Sequence, residues 1–276
     1  MRVATTIAAA REEIAALGRP VALVPTMGAL HAGHLELIAA ARNGGGSVVA
    51  SVFVNPLQFA AGEDFERYPR DFEGDRAKFG AAGVDLLFAP STEEIYPPGF
   101  STTIDVGPLG AAYEGAARPT HFAGVATIVA KLLNIVGPDT LVLGQKDAQQ
   151  TAVIRKVVRD LAFPMRVQIV ATVREADGLA LSSRNAYLHS EQRAHAPTLL
   201  AVLEKLRADL SQNLSKRDAI ARASALLGSS GQLEYLDLVD ADSFQPLERL
   251  QAPAFIIGAA RFGATRLLDN IWIRSL

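Results

Sequence analysis

VALVPTMGALHAGH, residues 21–34, is the stretch on which the fold turns. Its first six residues are apolar or small, with β-branched members and no charge, which predicts a short strand buried on both faces. Met27-Gly28-Ala29-Leu30 then makes a turn. From about Gly33, Leu35, Leu37, Ile38 and Ala41 recur at helical spacing until Gly44-Gly45-Gly46 stops the helix.

The same grammar repeats outward from this unit. SVVASVFVN (47–55), VDLLFAP (84–90), 140–143 and 166–173 read as further buried strands. Between and before them lie helical patterns: one at the N-terminus carried by Ile7, Ala10, Ile14 and Leu17, one over 70–82 opening near Pro69, one over 121–136 closed by Gly137-Pro138, and one over 147–161. The segment 91–120 is rich in Pro and Gly, with a short strand expected at 102–106. Alternating helices and continuous apolar strands predict an α/β fold, an open parallel sheet covered on both faces. The character changes after Val173. A polar, turn-rich stretch leads to one long helix over 190–212 and a second capped by Ser215-x-x-Asp218, then strands at 232–240, 253–262 and 265–273, the last two joined by a hairpin. The expected organisation is therefore a first domain over 1–173 and a smaller α+β domain over 174–276.

Composition removes whole classes of function. Among 276 residues, 27 Lys and Arg face 29 Asp and Glu, a net charge of −2, without the cation excess that general nucleic-acid binding requires. There is no cysteine, so no disulfide, thiolate nucleophile or Cys-ligated metal. No apolar run approaches the roughly 18 residues of a membrane span. Glu12-Glu13 within the first amphipathic pattern fits a mature helix better than a signal peptide, and a soluble cytoplasmic protein is expected.

Four polar clusters remain to carry chemistry. His31-Ala32-Gly33-His34 lies where the first strand turns into helix, beyond the carboxyl end of a parallel strand, where α/β sheets bind ligands and a helix N-terminus favours phosphate. The competing readings are a plain helix start with solvated histidines and a zinc site. The latter lacks a His-Glu-x-x-His pattern or enough further ligands. Gly144-Gln145-Lys146-Asp147 also follows a strand and opens a helix, with Gln150 one turn inside. Lys146 suits phosphate; Asp147 suits Mg²⁺ or a helix cap. Leu181-Ser182-Ser183-Arg184-Asn185 is a donor-rich loop that suits phosphate oxygens or a simple interdomain turn. Asn55 and Gln58, after the second strand, are neutral groups able to hydrogen-bond a hydroxylated, carboxylated substrate. Arg118 to Phe122, and Tyr68 and Arg70, lie near other helix starts. No Gly-x-Ser-x-Gly elbow or Walker loop occurs. A set rich in phosphate donors and poor in paired carboxylates points to catalysis by positioning and charge stabilisation, as in nucleotidyl transfer.

Together VPTMGALHAGH (24–34), SVFVNPLQF (51–59), FERYPR (65–70), RPTHFAGV (118–125), LGQKDAQQ (143–150) and VREADGLALSSRN (173–185) resemble the AMP-forming pantoate–β-alanine ligases, within the HxGH nucleotidyltransferase superfamily. The resemblance runs over residues 20–190. It implies a Rossmann-like first domain binding ATP and pantoate, a second domain acting as a lid, a homodimer, a requirement for Mg²⁺, and β-alanine as the second substrate. By the same resemblance His31, His34, Lys146, Ser182, Ser183 and Arg184 would hold phosphates and stabilise the transition state. Pro25, Thr26, Met27, Gly33, Gly144, Asp147, Val173 and Leu181 would border the nucleotide. Met27, Asn55, Gln58, Gln150 and His121 would meet the pantoate side, and no protein metal ligand is assigned. Leu181, Ala148, Ala123 and Gln145 depart from the residues common in that family, without removing a phosphate or pantoate ligand. The alternatives are another adenylyltransferase acting on a phosphorylated substrate, which the neutral Gln58 and Gln150 disfavour, and a non-catalytic nucleotide sensor, which His31, His34 and Lys146 disfavour.

Overall fold

The computed structural model describes residues 1–60, 62–63 and 65–275. The chain forms two compact units, Met1–Gln145 with Val153–Ala171, and Lys146–Ala152 with Thr172–Leu276.

In the first unit the elements run β1 (Arg2–Ala4), α1 (Ile7–Ala15), β2 (Val21–Thr26), α2 (Ala32–Arg42), β3 (Ser47–Val52), α3 (Phe72–Ala81), β4 (Leu86–Phe88), α4 (Thr92–Ile95), α5 (Glu114–Ala117), α6 (His121–Val136), β5 (Thr140–Gly144), α7 (Ala148–Asp160) and β6 (Arg166–Val170). Helix α7 begins in the second unit and ends in the first. Among the described residues the six strands form one parallel sheet in the order β1-β4-β3-β2-β5-β6. The period-2 alternation of the strands explains why both faces are covered. Leu23, Val49, Leu86, Phe88, Leu141 and Leu143 pack with Ala10 of α1, with α6, and with Ile154 and Val158 of α7. Their neighbours Ala22, Val24, Val48, Ala50, Leu87 and Val142 pack on the other face with Ile38 and Ala41 of α2 and Phe79 of α3.

Strand order reverses between β2 and β5: the chain builds outward from β2 to β3 and β4, then crosses to β5 and β6. At this junction the two ladders on β2 have different lengths. The ladder with β3 runs from Val21 to Thr26, whereas that with β5 covers only Ala22 and Leu23. Val21 points its carbonyl towards β5, accepting from Asp139 N, so alternate residues Leu23 and Pro25 face the same side. Pro25 has no N–H to offer there, and the ladder stops. The β2–β5 ladder therefore ends short of the carboxyl end of β2, at the switch point of the sheet.

The second unit continues with α8 (Ser190–His195), α9 (Thr198–Ser211), α10 (Lys216–Ser224), β7 (Gln232–Asp240), β8 (Ala254–Phe262) and β9 (Thr265–Ile273). Its strands form an antiparallel sheet in the order β7-β8-β9. Leu199, Val202, Leu203 and Leu206 of α9 pack with Ile256, Ala260 and Phe262 of β8.

Several elements differ from the sequence expectation. The helix expected over 190–212 is two helices, because Pro197 cannot donate to the ladder. No strand forms at 102–106; the Ile104 N–H is spent on Thr127 Oγ1, 3.0 Å away. Helix α3 starts at Phe72 rather than near Pro69, because the Asp71 carboxylate accepts from Gly74 N at 3.0 Å and caps it there. Strand β1, three residues long, carries too short a pattern to read, yet it closes one edge of the sheet against β4.

Leu133 is almost fully buried in the core between α6 and the sheet. Leu133→Ala is expected to lower the unfolding free energy by roughly 2–5 kcal/mol, the range for such cavities, measured by urea denaturation.

Candidate active site

Beyond β2 the chain turns sharply, and one buried carboxylate shapes the turn. Asp75 of α3 accepts from Ala29 N at 2.7 Å and Leu30 N at 2.8 Å. Lys78, one turn on, donates to Leu30 O at 2.9 Å. Gly28 has φ +82°, and a Cβ there would lie 2.8 Å from Asp75 Oδ2, so only glycine fits both the conformation and the contact. Thr26 Oγ1 donates to Ser51 O at 2.7 Å and accepts from Gly28 N at 3.2 Å.

This turn delivers His31 to the N-cap of α2. Its Nδ1 accepts from Gly33 N at 3.2 Å, while His34 Nδ1 accepts from His31 N at 3.3 Å. The two rings lie 4.1 Å apart between centroids. A nitrogen that accepts a backbone N–H carries no proton, so each neutral ring holds its proton on Nε2. The sequence expectation offered the N–H groups of the helix start directly to a phosphate. The Gly33 N–H is instead bound by an imidazole.

Gln58 lies at the end of a single 3-10 turn, Pro56–Gln58, after β3. Its Nε2 donates to Met27 Sδ at 2.9 Å, and its Oε1 accepts from Asn55 Nδ2 at 3.1 Å. Asn55 is fully engaged by protein: Nδ2 also donates to Gly124 O at 3.1 Å, and Oδ1 accepts from Leu57 N at 3.3 Å and the Tyr96 hydroxyl at 2.8 Å. Burial pushes the Tyr96 phenol well above its ordinary range, so it stays protonated and donates. The start of α6 braces the same peptide. His121 Nδ1 lies 2.8 Å from Gln58 O and its Nε2 lies 3.2 Å from Arg118 Nη1. A carbonyl only accepts and a guanidinium only donates, so the ring is the neutral Nδ1–H tautomer. Burial, followed by the Arg118 charge, pushes its pKa down to about 4. Arg118 also donates to Gln58 O at 3.2 Å and forks onto Glu63 at 2.8 and 2.7 Å. Burial opposes ionisation of Glu63, but this fork holds its carboxyl below the usual range. A Cβ on Gly124 would fall 2.2 Å from Leu57 O, so glycine is what lets α6 come this close.

Within the first unit the structure thus joins Met27, Asn55, Gln58 and His121 into one network, next along β2 to Thr26 and the His31–His34 pair. Gln150 and Lys146 belong to the second unit. There Lys146 Nζ lies 3.3 Å from Asp147 Oδ1, and Lys146 O accepts from Asn270 Nδ2 at 2.8 Å. Ser182 Oγ accepts from Arg184 N at 3.2 Å and starts the short turn Ser183–Tyr187, while Val173 O accepts from Leu181 N at 3.0 Å.

Known proteins share this fold. The family model described as Pantoate-beta-alanine ligase matches residues 2–272. The chain belongs to that family. A pantothenate synthetase of Rhizorhabdus wittichii is 49% identical, over 98% of each chain. The crystal structure of pantothenate synthetase from Thermus thermophilus is 50% identical, with a TM-score of 0.94 over 99% of this chain and 100% of that one. A Francisella tularensis pantoate-beta-alanine ligase complexed with beta-gamma ATP and beta-alanine is 34% identical, with a TM-score of 0.81 over 99% and 97%. The expected α/β architecture with a smaller α+β part is the one these relatives share.

Asp75, Tyr96, Glu63 and Gly124 are not singled out by the sequence reading. Asp75 left a signal: it lies four residues before Phe79 and shares its buried face of α3. A carboxylate on an apolar helix face needs a partner, and here the partner is the turn before α2.

Asp75→Asn is expected to cost roughly 1–3 kcal/mol, because one of two buried N–H groups loses its acceptor; urea denaturation measures it. For His121 the folded pKa of about 4 lies below its ordinary 6.5. The unfolded chain therefore binds more protons in between, and the stabilisation present above pH 6.5 is lost as pH falls towards 4. The stability deficit of His121→Gln against wild type should be largest at pH 7 and narrow towards pH 4. A deficit independent of pH would contradict this.

Proposed function

We propose that this chain condenses (R)-pantoate with β-alanine at the expense of ATP, through pantoyl adenylate, giving pantothenate, AMP and pyrophosphate. The observation that carries the proposal is the reciprocal His31–His34 cap at the carboxyl end of β2, beside the point where the β2–β5 ladder stops. Open α/β sheets bind ligands at such switch points.

In the first step a pantoate carboxylate oxygen attacks the α-phosphorus and pyrophosphate leaves. In the second the β-alanine amine attacks the acyl carbon, loses a proton, and AMP leaves. Both nucleophiles belong to substrates, so the protein's work is positioning and stabilisation of charge on phosphate oxygens. His31 and His34 contribute neutral Nε2–H donors, which stabilise the pentacoordinate phosphorus without trapping a charged product. Lys146 contributes a point charge at the α-phosphate. Ser182, Ser183 and Arg184 hold the triphosphate, with Gly33, Gly144, Asp147, Val173 and Leu181 around the nucleotide and Pro25, Thr26 and Met27 bordering both ligands. Gln58 and Gln150 bind pantoate. Asn55 and His121 act on that pocket through Gln58, because their hydrogen bonds run to protein.

Mg²⁺ enters as part of the MgATP substrate, held by phosphates and water in the manner usual for this ion. Among the described residues no group of three or more His, Asp or Glu is arranged to hold a metal. A homodimer and a cytoplasmic location belong to the same reading, supported by the family resemblance. Among the described residues no helix is long and apolar enough to cross a membrane.

ATP–pyrophosphate exchange tests the proposal. Exchange is expected with pantoate and Mg²⁺ and without β-alanine; its absence in folded protein would sink the reading. His34→Ala and Lys146→Ala should each slow exchange by at least ~10²-fold, the scale of losing one transition-state donor.

A further inference from the structure

The last strand holds two buried polar residues that packing does not require. Asp269 and Asn270 of β9 are 5% and 2% exposed. An apolar pair would fill such a site without the cost of desolvating a carboxylate and an amide. What the pair provides is a set of directional bonds. Arg174 forks onto Asp269 at 2.6 and 2.9 Å, and donates further to Gly178 O at 3.0 Å and Asn270 O at 3.3 Å. Asn270 N donates to Asp269 Oδ1 at 2.7 Å, and Asn270 Nδ2 donates to Lys146 O at 2.8 Å.

The two ends of this chain of bonds lie at two of the phosphate-binding segments. Arg174 sits at the base of a tight hairpin: it bridges Ala180, Glu175 N donates to Leu179 O at 2.8 Å, and Leu181 N closes onto Val173 O at 3.0 Å. The hairpin runs directly into Ser182-Ser183-Arg184, and Asn185 Nδ2 returns to Ala180 O at 3.1 Å. At the other end the bond falls on the backbone of Lys146 itself. The segment Lys146–Ala152 groups with the second unit, and the Asn270–Lys146 bond is one of its ties there.

We infer that Asp269 and Asn270 are positioning residues for adenylate formation: β9 fixes Lys146 through Asn270 and the Ser182–Arg184 loop through Asp269 and Arg174, so that both are held by one strand. This rests on the roles proposed above for Lys146 and the loop. Neither residue touches the reacting atoms; each acts through another. The polar atoms at the outer edge of β9 are used in the same device, since among the described residues β9 pairs with β8 alone and Arg174 takes the Asn270 carbonyl on its open side.

A double-mutant cycle on pantoate-dependent ATP–pyrophosphate exchange tests this, with thermal melting of each variant to report folding. Asn270→Leu keeps the volume and removes the donor to Lys146 O. It should lower the exchange kcat about tenfold with the KM for pantoate unchanged, and in a Lys146→Ala background it should add less than about twofold, as expected for coupled residues. An equal loss in both backgrounds, or wild-type exchange by Asn270→Leu beside an impaired Lys146→Ala, would overturn the inference. Lys146→Ala exchanging at the wild-type rate would overturn the reading of Lys146 and this inference with it, and is recognisable without any Asn270 variant. Should Asn270→Leu fail to fold, Asp269→Asn carries the test. It leaves one oxygen for Arg174, loosens the hairpin, and should raise the KM for ATP; an unchanged KM would overturn it.

Discussion

A hydrogen bond that proline cannot make governs the first unit. Strand β2 is the centre of the parallel sheet, and its ladder with β5 ends at Leu23 because Pro25 presents no N–H to that side. Its ladder with β3 continues to Thr26. One strand is thus held firmly on one edge and released on the other, at the place where strand order reverses. A single donor is missing, and the end of β2 beyond the β5 ladder leads directly into the segment that carries the His31–His34 pair.

What comes next along the chain depends on that segment being shaped rather than loose. Asp75 holds Ala29 and Leu30 by their N–H groups, Gly28 supplies the left-handed turn, and His31 therefore arrives at the cap of α2 in one orientation. Two imidazoles that each accept a backbone N–H at Nδ1, from Gly33 and from His31, are also fixed in tautomer. Backbone donors at the start of this helix are thus taken up by side chains of the same turn. The same economy appears at Gln58. Its backbone is clamped by His121 and Arg118 and its side chain by Met27 and Asn55, so a flexible amide is held from four directions.

Much of this is legible without coordinates. The buried strands, the strand-to-helix placement of His31-x-Gly-His34 and of Lys146, and the change of character after Val173 follow from local patterns of residue type. The failures are physical rather than random. One helix is expected over 190–212 because the apolar period continues on either side of the break at Pro197. The strand expected at 102–106 loses its backbone donor to Thr127, a residue on a helix far along the chain. Asn55 looks like a substrate ligand because an amide after a strand end is chemically able to be one; only its four occupied hydrogen bonds show that protein claims it. Asp269 and Asn270 are hidden inside an ordinary strand pattern.

The sequence by itself determined the fold class, the family and the kind of chemistry, because hydrophobic period, turn residues and donor types are local properties that neighbouring positions are enough to express. Tertiary structure alone decided which donors are available and which are spent. Whether an N–H meets an imidazole, a carboxylate or nothing depends on groups brought together from distant positions: Asp75 to Leu30, Arg118 to Glu63, Asn270 to Lys146. Hydrogen bonds are short and directional, so their partners are fixed only once packing has brought those distant groups together.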